Sequence, residues 1–125
     1  MDSPLANTLS KEERLCGKTS ISALVSDGKW AGTAHLKYCW AAGRPLPVNR
    51  MMVSVPKKFF KRAVKRNLLK RRIREAYRLN KHIFKDGGND ILFSYNCKEV
   101  LDFKTLEAEV ITILSRIAKL SASDK

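Results

Sequence analysis

KKFFKRAVKRNLLKRRIREAYRLNK, residues 57–81, decides how the rest of this 125-residue chain is read. Twelve of its 25 residues are Lys or Arg against a single acid, Glu75, so it holds +11 of the chain's net +13. Residues 1–56 add seven bases and four acids, and residues 82–125 add six and seven. The surplus charge is local. Set on a helix at about 100° per residue, Leu69, Ile73, Ala76 and Tyr77 take the i, i+4, i+7, i+8 spacing of a buried stripe. Asn67, Lys70, Arg71, Arg74, Arg78 and Lys81 gather on the far side. Arg66, Lys70, Arg74 and Arg78 stand four apart, and each like-charged step costs roughly 0.2 to 0.5 kcal/mol. A fold gains nothing from that arrangement, whereas a polyanion partner does. Arginine's planar fork bonds two phosphate oxygens or stacks on a base, so nucleic acid is the expected partner.

The remainder is globular in composition, with 44% hydrophobic residues, and its length suits one domain, residues 1–125, with a modest core. No apolar run is long enough to span a bilayer, and the first residues lack a signal-peptide core, which points to the cytoplasm and to no membrane partner. Cys16, Cys39 and Cys97 are odd in number and widely spaced, so neither a disulfide framework nor a zinc site is indicated. His35 and Cys39 would share a strand face about 13 Å apart, too far to grip one ion.

Taken in order, residues 1–9 read as a loose leader, and residues 10–13 have capping-box form. A helix of about two turns starts at Lys18 or Thr19 and stops at Gly28, expected at the C′ position. A short strand around Trp30 precedes residues 33–41, TAHLKYCWA, which alternate: Leu36, Tyr38 and Trp40 on one face, His35, Lys37 and Cys39 on the other. After the break at Gly43 to Pro47, residues 48–55 resume as a second extended run. The two are expected to pair as an antiparallel hairpin. Residues 91–95, ILFSY, form an apolar run that suits a central strand. Asp102 is an N-cap for a last helix with the stripe Leu106, Val110, Ile113, Ile117, Leu120; residues 121–125 should fray.

No side-chain constellation for catalysis emerges. There is no Gly-rich phosphate loop, no H-E-x-x-H and no G-x-S-x-G, and the twelve acids are scattered rather than clustered for two metal ions. Asp86 and Asp90 flank a turn, which reads as solvated, and Glu75 reads as an ion-pair partner for Arg71 or Arg78.

Residues 61–75, KRAVKRNLLKRRIRE, resemble the signature of the bacterial ribonuclease P protein component, K-x-A-V-x-R-N-x-x-K-R-x-x-R-E. All nine fixed positions are filled, by Lys61, Ala63, Val64, Arg66, Asn67, Lys70, Arg71, Arg74 and Glu75. The preceding SVPKK, residues 54–58, is similar to the family's strand end, and weaker likeness reaches Glu13, Arg14 and Leu15 and the last helix. The resemblance implies an α/β fold, an α+β two-layer sandwich of order α-β-β-β-α-β-α, with a central mixed sheet and a left-handed βαβ crossover through the basic helix. Such a hand departs from the roughly 98% of parallel crossovers that are right-handed. It implies a protein subunit with no catalytic residue of its own. In that family the RNA subunit, holding Mg²⁺, hydrolyses the 5′ leader from precursor tRNA, and one protein per RNA is expected.

On that resemblance, Lys57, Lys58, Lys61, Arg62, Lys65, Arg66, Asn67, Lys70, Arg71, Arg74 and Arg78 would seat on the catalytic RNA. The leader would lie between the first helix and the sheet, near Ile21, Val25, Lys37, Tyr38 and Cys39. Three departures stand out. Leu68 replaces a cation of the family's R-N-R, the approach Phe59-Phe60-Lys61-Arg62 is one residue longer, and Ile21 and Val25 occupy positions often held by Phe. The alternative readings are a non-catalytic ribosomal-type or RNA-chaperone protein, and a DNA-binding regulator that presents Arg and Asn to base edges.

Overall fold

The apolar stripes find one another across a four-stranded sheet. The computed structural model describes residues 13–15, 17–42, 48–84 and 87–123, with side chains up to residue 120. In chain order these form α1 (Lys18–Asp27), β1 (Lys29–Gly32), β2 (Leu36–Ala41), β3 (Arg50–Ser54), α2 (Ala63–Asn80), a single 3-10 turn (Lys81–Ile83), β4 (Asp90–Tyr95) and α3 (Phe103–Ser123). Residues 1–9 and most of the capping-box segment, residues 10–12, lie outside the described residues, as do Cys16, Asp86 and residues 124 and 125. Ser121 to Ser123, expected to fray, continue α3.

The sheet order is β1-β2-β4-β3: β1 with β2 and β2 with β4 are antiparallel, and β3 with β4 is parallel. The expected hairpin between the strands now named β2 and β3 is therefore wrong. β4 lies between them, and the true hairpin is β1 with β2, closed by the Thr33 N–H donating to Leu36 O at 2.8 Å. The physical reason is β4 itself. Its Ile91, Leu92 and Phe93 are buried on both faces, so it needs a neighbour at each edge and cover above and below. The parallel β3 and β4 are joined through α2.

One face of the sheet presents Leu36, Tyr38, Trp40, Met51, Val53, Ile91, Phe93 and Tyr95. Against it pack Leu69, Ile73, Ala76 and Tyr77 of α2 and Leu106, Val110, Ile113, Leu114 and Ile117 of α3, which form a helical layer over that face of the mixed sheet. The stripe expected for α3 holds except at its end, because Leu120 is 47% exposed and Leu114 takes a core place instead. The other face carries α1, whose Leu24 is buried with Leu15, Cys39 and Leu92, with Ile21 packed alongside.

Local chemistry fixes the joints. Asp102 caps α3 by accepting from the Thr105 N–H at 2.9 Å. Gly28 ends α1 with its N–H donating to Leu24 O at 2.7 Å, but at φ −74° it is extended, not left-handed. Glycine is needed there for space, since a Cβ would come 2.5 Å from both Cys39 Sγ and Leu24 O. Asp90 is buried rather than solvated, and accepts from Arg50 Nε at 2.8 Å and Nη2 at 2.7 Å, which pins the parallel register at its first pair. On the outer edge of β3, Arg14 bridges Met51 and the Leu15 N–H donates to Met51 O at 2.9 Å, while Glu13 pairs with Lys81 at 3.0 Å. That segment covers part of an otherwise open strand edge.

Candidate nucleic-acid interface

The basic stretch is positioned by an aromatic anchor and an arginine. After β3 the chain passes Val55 and Pro56 into a tight turn in which the Phe59 N–H donates to Pro56 O at 3.2 Å. Phe60 then enters the core and meets Tyr95 edge-on, ring centres 5.6 Å apart. The longer approach is thus held by the core. Arg66 turns back and donates from Nη1 to the carbonyls of Phe60 and Lys61, both at 2.8 Å. One signature arginine therefore braces the loop instead of standing free.

Other cations are spoken for as well. Arg78, one of the two partners foreseen for Glu75, pairs with it, and this hydrogen bond holds the Glu75 carboxyl below its usual range. Arg72 reaches the other way and donates to Leu101 O at 2.5 Å, which ties α2 to the start of α3. Lys58 lies over the Phe59 ring at 5.0 Å. What remains is a row: Lys57, Lys61, Arg62, Lys65, Asn67, Lys70, Arg71 and Arg74 have no side-chain partner among the described residues, and all except the half-buried Lys70 are exposed. The first turn of α2 carries no acid and no side-chain cap, so its free N–H groups add to the positive field there. Val64 in the same turn is 79% exposed, an apolar side chain the core does not use.

The second group of expected residues divides between two faces. Lys37 and Cys39 lie on the α1 side, but Tyr38 points the opposite way into the core at 5% exposure, so its ring cannot meet a ligand beside α1. Cys39 is fully buried beneath α1, where its thiol donates to Leu24 O at 3.3 Å and burial pushes its pKa up. Ile21 is half-buried, Val25 is 44% exposed and Lys37 is exposed. Across that face Gly32, Lys37, Ser94 and Ser54 form one row, at the end of the sheet where β3 leads to Lys57 and Lys58. The seam beside α1 and the cationic approach therefore open at the same end. Sequence reasoning missed Trp30, 51% exposed on the α1 side, because an edge strand of four residues gives too little alternation to assign a face. The bracing role of Arg66 left no sequence signal.

No group of three or more His, Cys, Asp or Glu able to hold a metal occurs among the described residues. No helix among them is long and apolar enough to cross a membrane. The arrangement is one of charge and shape, suited to gripping a polyanion.

Comparison with known proteins turns that grip into a family. The family model described as Ribonuclease P matches residues 9–118. The chain belongs to the ribonuclease P protein family. The ribonuclease P protein component of Porphyromonas gingivalis is 40% identical over 126 aligned positions, covering 94% of this chain and 92% of that one. That of Chlorobaculum tepidum is 41% identical over 83, covering 62% and 53%. The ribonuclease P protein of Thermotoga maritima superimposes with a TM-score of 0.73 at 27% identity, covering 83% of this chain and 96% of that one. The Staphylococcus aureus ribonuclease P protein, at 20% identity and a TM-score of 0.71, shares the fold. As a ribonuclease P protein, the chain is a subunit of that endoribonuclease, works with its RNA, and has its place in tRNA 5′ processing.

Proposed function

We propose that this subunit binds and positions, and that the RNA of ribonuclease P performs the hydrolysis with Mg²⁺ held mainly by RNA. The carrying observation is the row of cations on α2 and its approach that have no side-chain partner among the described residues, several of them at signature positions, on a side the core does not need. Lys57, Lys61, Arg62, Lys65, Asn67, Lys70, Arg71 and Arg74 would seat on folded RNA, with Lys58 beside them. Arg66 would act by shaping the approach, and Arg78 would contribute while still paired to Glu75. The single-stranded 5′ leader of precursor tRNA would lie in the seam between α1 and the sheet, near Ile21, Val25 and Lys37; Cys39, expected to line it, is fully buried beneath α1 and out of its reach.

The same reading takes the β3-α2-β4 crossover as left-handed, one protein per RNA, and the cytoplasm as the site of action. A ribosomal-type or chaperone role is disfavoured by the family. Reconstitution with a bacterial ribonuclease P RNA tests the proposal. The protein should stimulate leader removal at low Mg²⁺ and, without RNA, should leave precursor tRNA uncut. Cleavage that copurifies with the protein alone would refute the division of labour.

A further inference from the structure

The chain holds ten aromatic residues, and nine of them are in the main core or packed against it. The tenth is Trp30, 51% exposed. Register places it directly across from Cys39, so its ring stands on the α1 side of the sheet, and the next pair on that face is Gly32 with Lys37. Gly32 leaves the space beside Lys37 without a side chain, and Val25 of α1 is itself 44% exposed. The local charge on that side, Lys18 and Lys37 against Asp27, is positive, while Lys29 lies on the opposite face over the Trp40 ring at 5.9 Å. A flat, solvent-facing ring next to a free ammonium group is what a single-stranded polynucleotide meets on a stacking platform.

We propose that Trp30 stacks on a base of the single-stranded RNA held beside α1, which moves the aromatic contact of the seam to edge strand β1. This rests on the leader reading above and adds to it a residue that the signature does not contain. β1 is at the margin of the sheet, about 14 Å from β3 by strand spacing. A strand stacked on Trp30 would then cross the row Gly32, Lys37, Ser94 and Ser54 toward Lys57 and Lys58.

The test uses the holoenzyme reconstituted with ribonuclease P RNA, and compares precursor tRNA with mature tRNA. Trp40 is 4% exposed, so quenching by acrylamide reports Trp30. Precursor tRNA should shield it and mature tRNA should not. Trp30→Ala should reduce the preference for precursor by on the order of 10-fold, while Trp30→Phe should retain it within about 3-fold. Affinity for the catalytic RNA and the melting temperature should stay as in the wild type. Should the wild type bind both tRNAs equally, the leader reading fails and this inference with it. A wild type that discriminates, beside a Trp30→Ala variant that discriminates as well, would sink the stacking role alone. Loss in Trp30→Phe equal to that in Trp30→Ala would also overturn it, as would shielding that depends on protein concentration without RNA, the mark of a contact between copies of this chain.

Discussion

Arg74 and Arg66 are both fixed positions of one signature, yet the fold uses them differently. Arg74 is exposed and without a partner among the described residues, so Arg74→Ala should weaken binding to the catalytic RNA and lower the salt slope by about one, with the melting temperature unchanged. Arg66 braces the carbonyls of Phe60 and Lys61, so Arg66→Ala should both weaken binding and speed amide exchange in residues 59–62. Thermal melts and hydrogen exchange on the two variants separate these outcomes. Periodicity identified the outward face of the helix, because a 3.6-residue repeat fixes direction. It could not say which outward arginine folds back, since that depends on a loop whose path is set by Phe60 meeting Tyr95. Tyr38 was placed by alternation on the Leu36 and Trp40 face, and burial there excludes it from the seam.

Among the three α-helices, α1 has the smallest buried face, with Leu24 its one fully buried side chain. Gly28 controls how closely it sits. Gly28→Ala would press a methyl group to 2.5 Å from Cys39 Sγ and should destabilise the fold by about 1 to 3 kcal/mol, with α1 lifting first, measurable by denaturant unfolding and by Cys39 reactivity. A second joint is Glu109 of α3. It accepts from Thr33 Oγ1, from the His35 N–H at 2.8 Å and from His35 Nδ1 at 2.7 Å, clasping the β1-β2 turn, which Arg116 also holds through Gly32 O at 3.0 Å. Burial alone would raise the Glu109 pKa, but these hydrogen bonds outweigh it and leave the carboxyl below its ordinary 4.5. A depressed folded value adds stability above the unfolded one, and that increment is lost as pH falls through the folded value. Wild-type stability should therefore decline below about pH 4.5, while Glu109→Gln should cost about 1 kcal/mol at neutral pH and show a flatter acid limb in urea titrations. α2 and α3 were legible from their repeat, β2 from alternation and β4 from its continuous apolar run. The pairing of β2 and β3 was not, because neighbours in sequence usually pair, and only the double-sided burial of β4 reverses that rule.

For the whole molecule, net +13 concentrated on one stretch makes association a matter of counterion release. With six to ten phosphate contacts, affinity for the ribonuclease P RNA should fall by roughly 10³ to 10⁵ between about 50 and 200 mM salt, and a flat response in filter binding would contradict the interface. The sheet order has one more effect, on biosynthesis. β4 joins β2 to β3, and it is the last strand to leave the ribosome, after α2 has been made. Until it emerges, the greasy side of α2 has no completed floor and two of the three strand ladders cannot close. A nascent chain stalled before Asp90 should be digested by protease along most of its length, with its arginine-rich segment free to cling to any nearby ribosomal or messenger RNA. Native compaction would begin only once Tyr95 clears the exit tunnel.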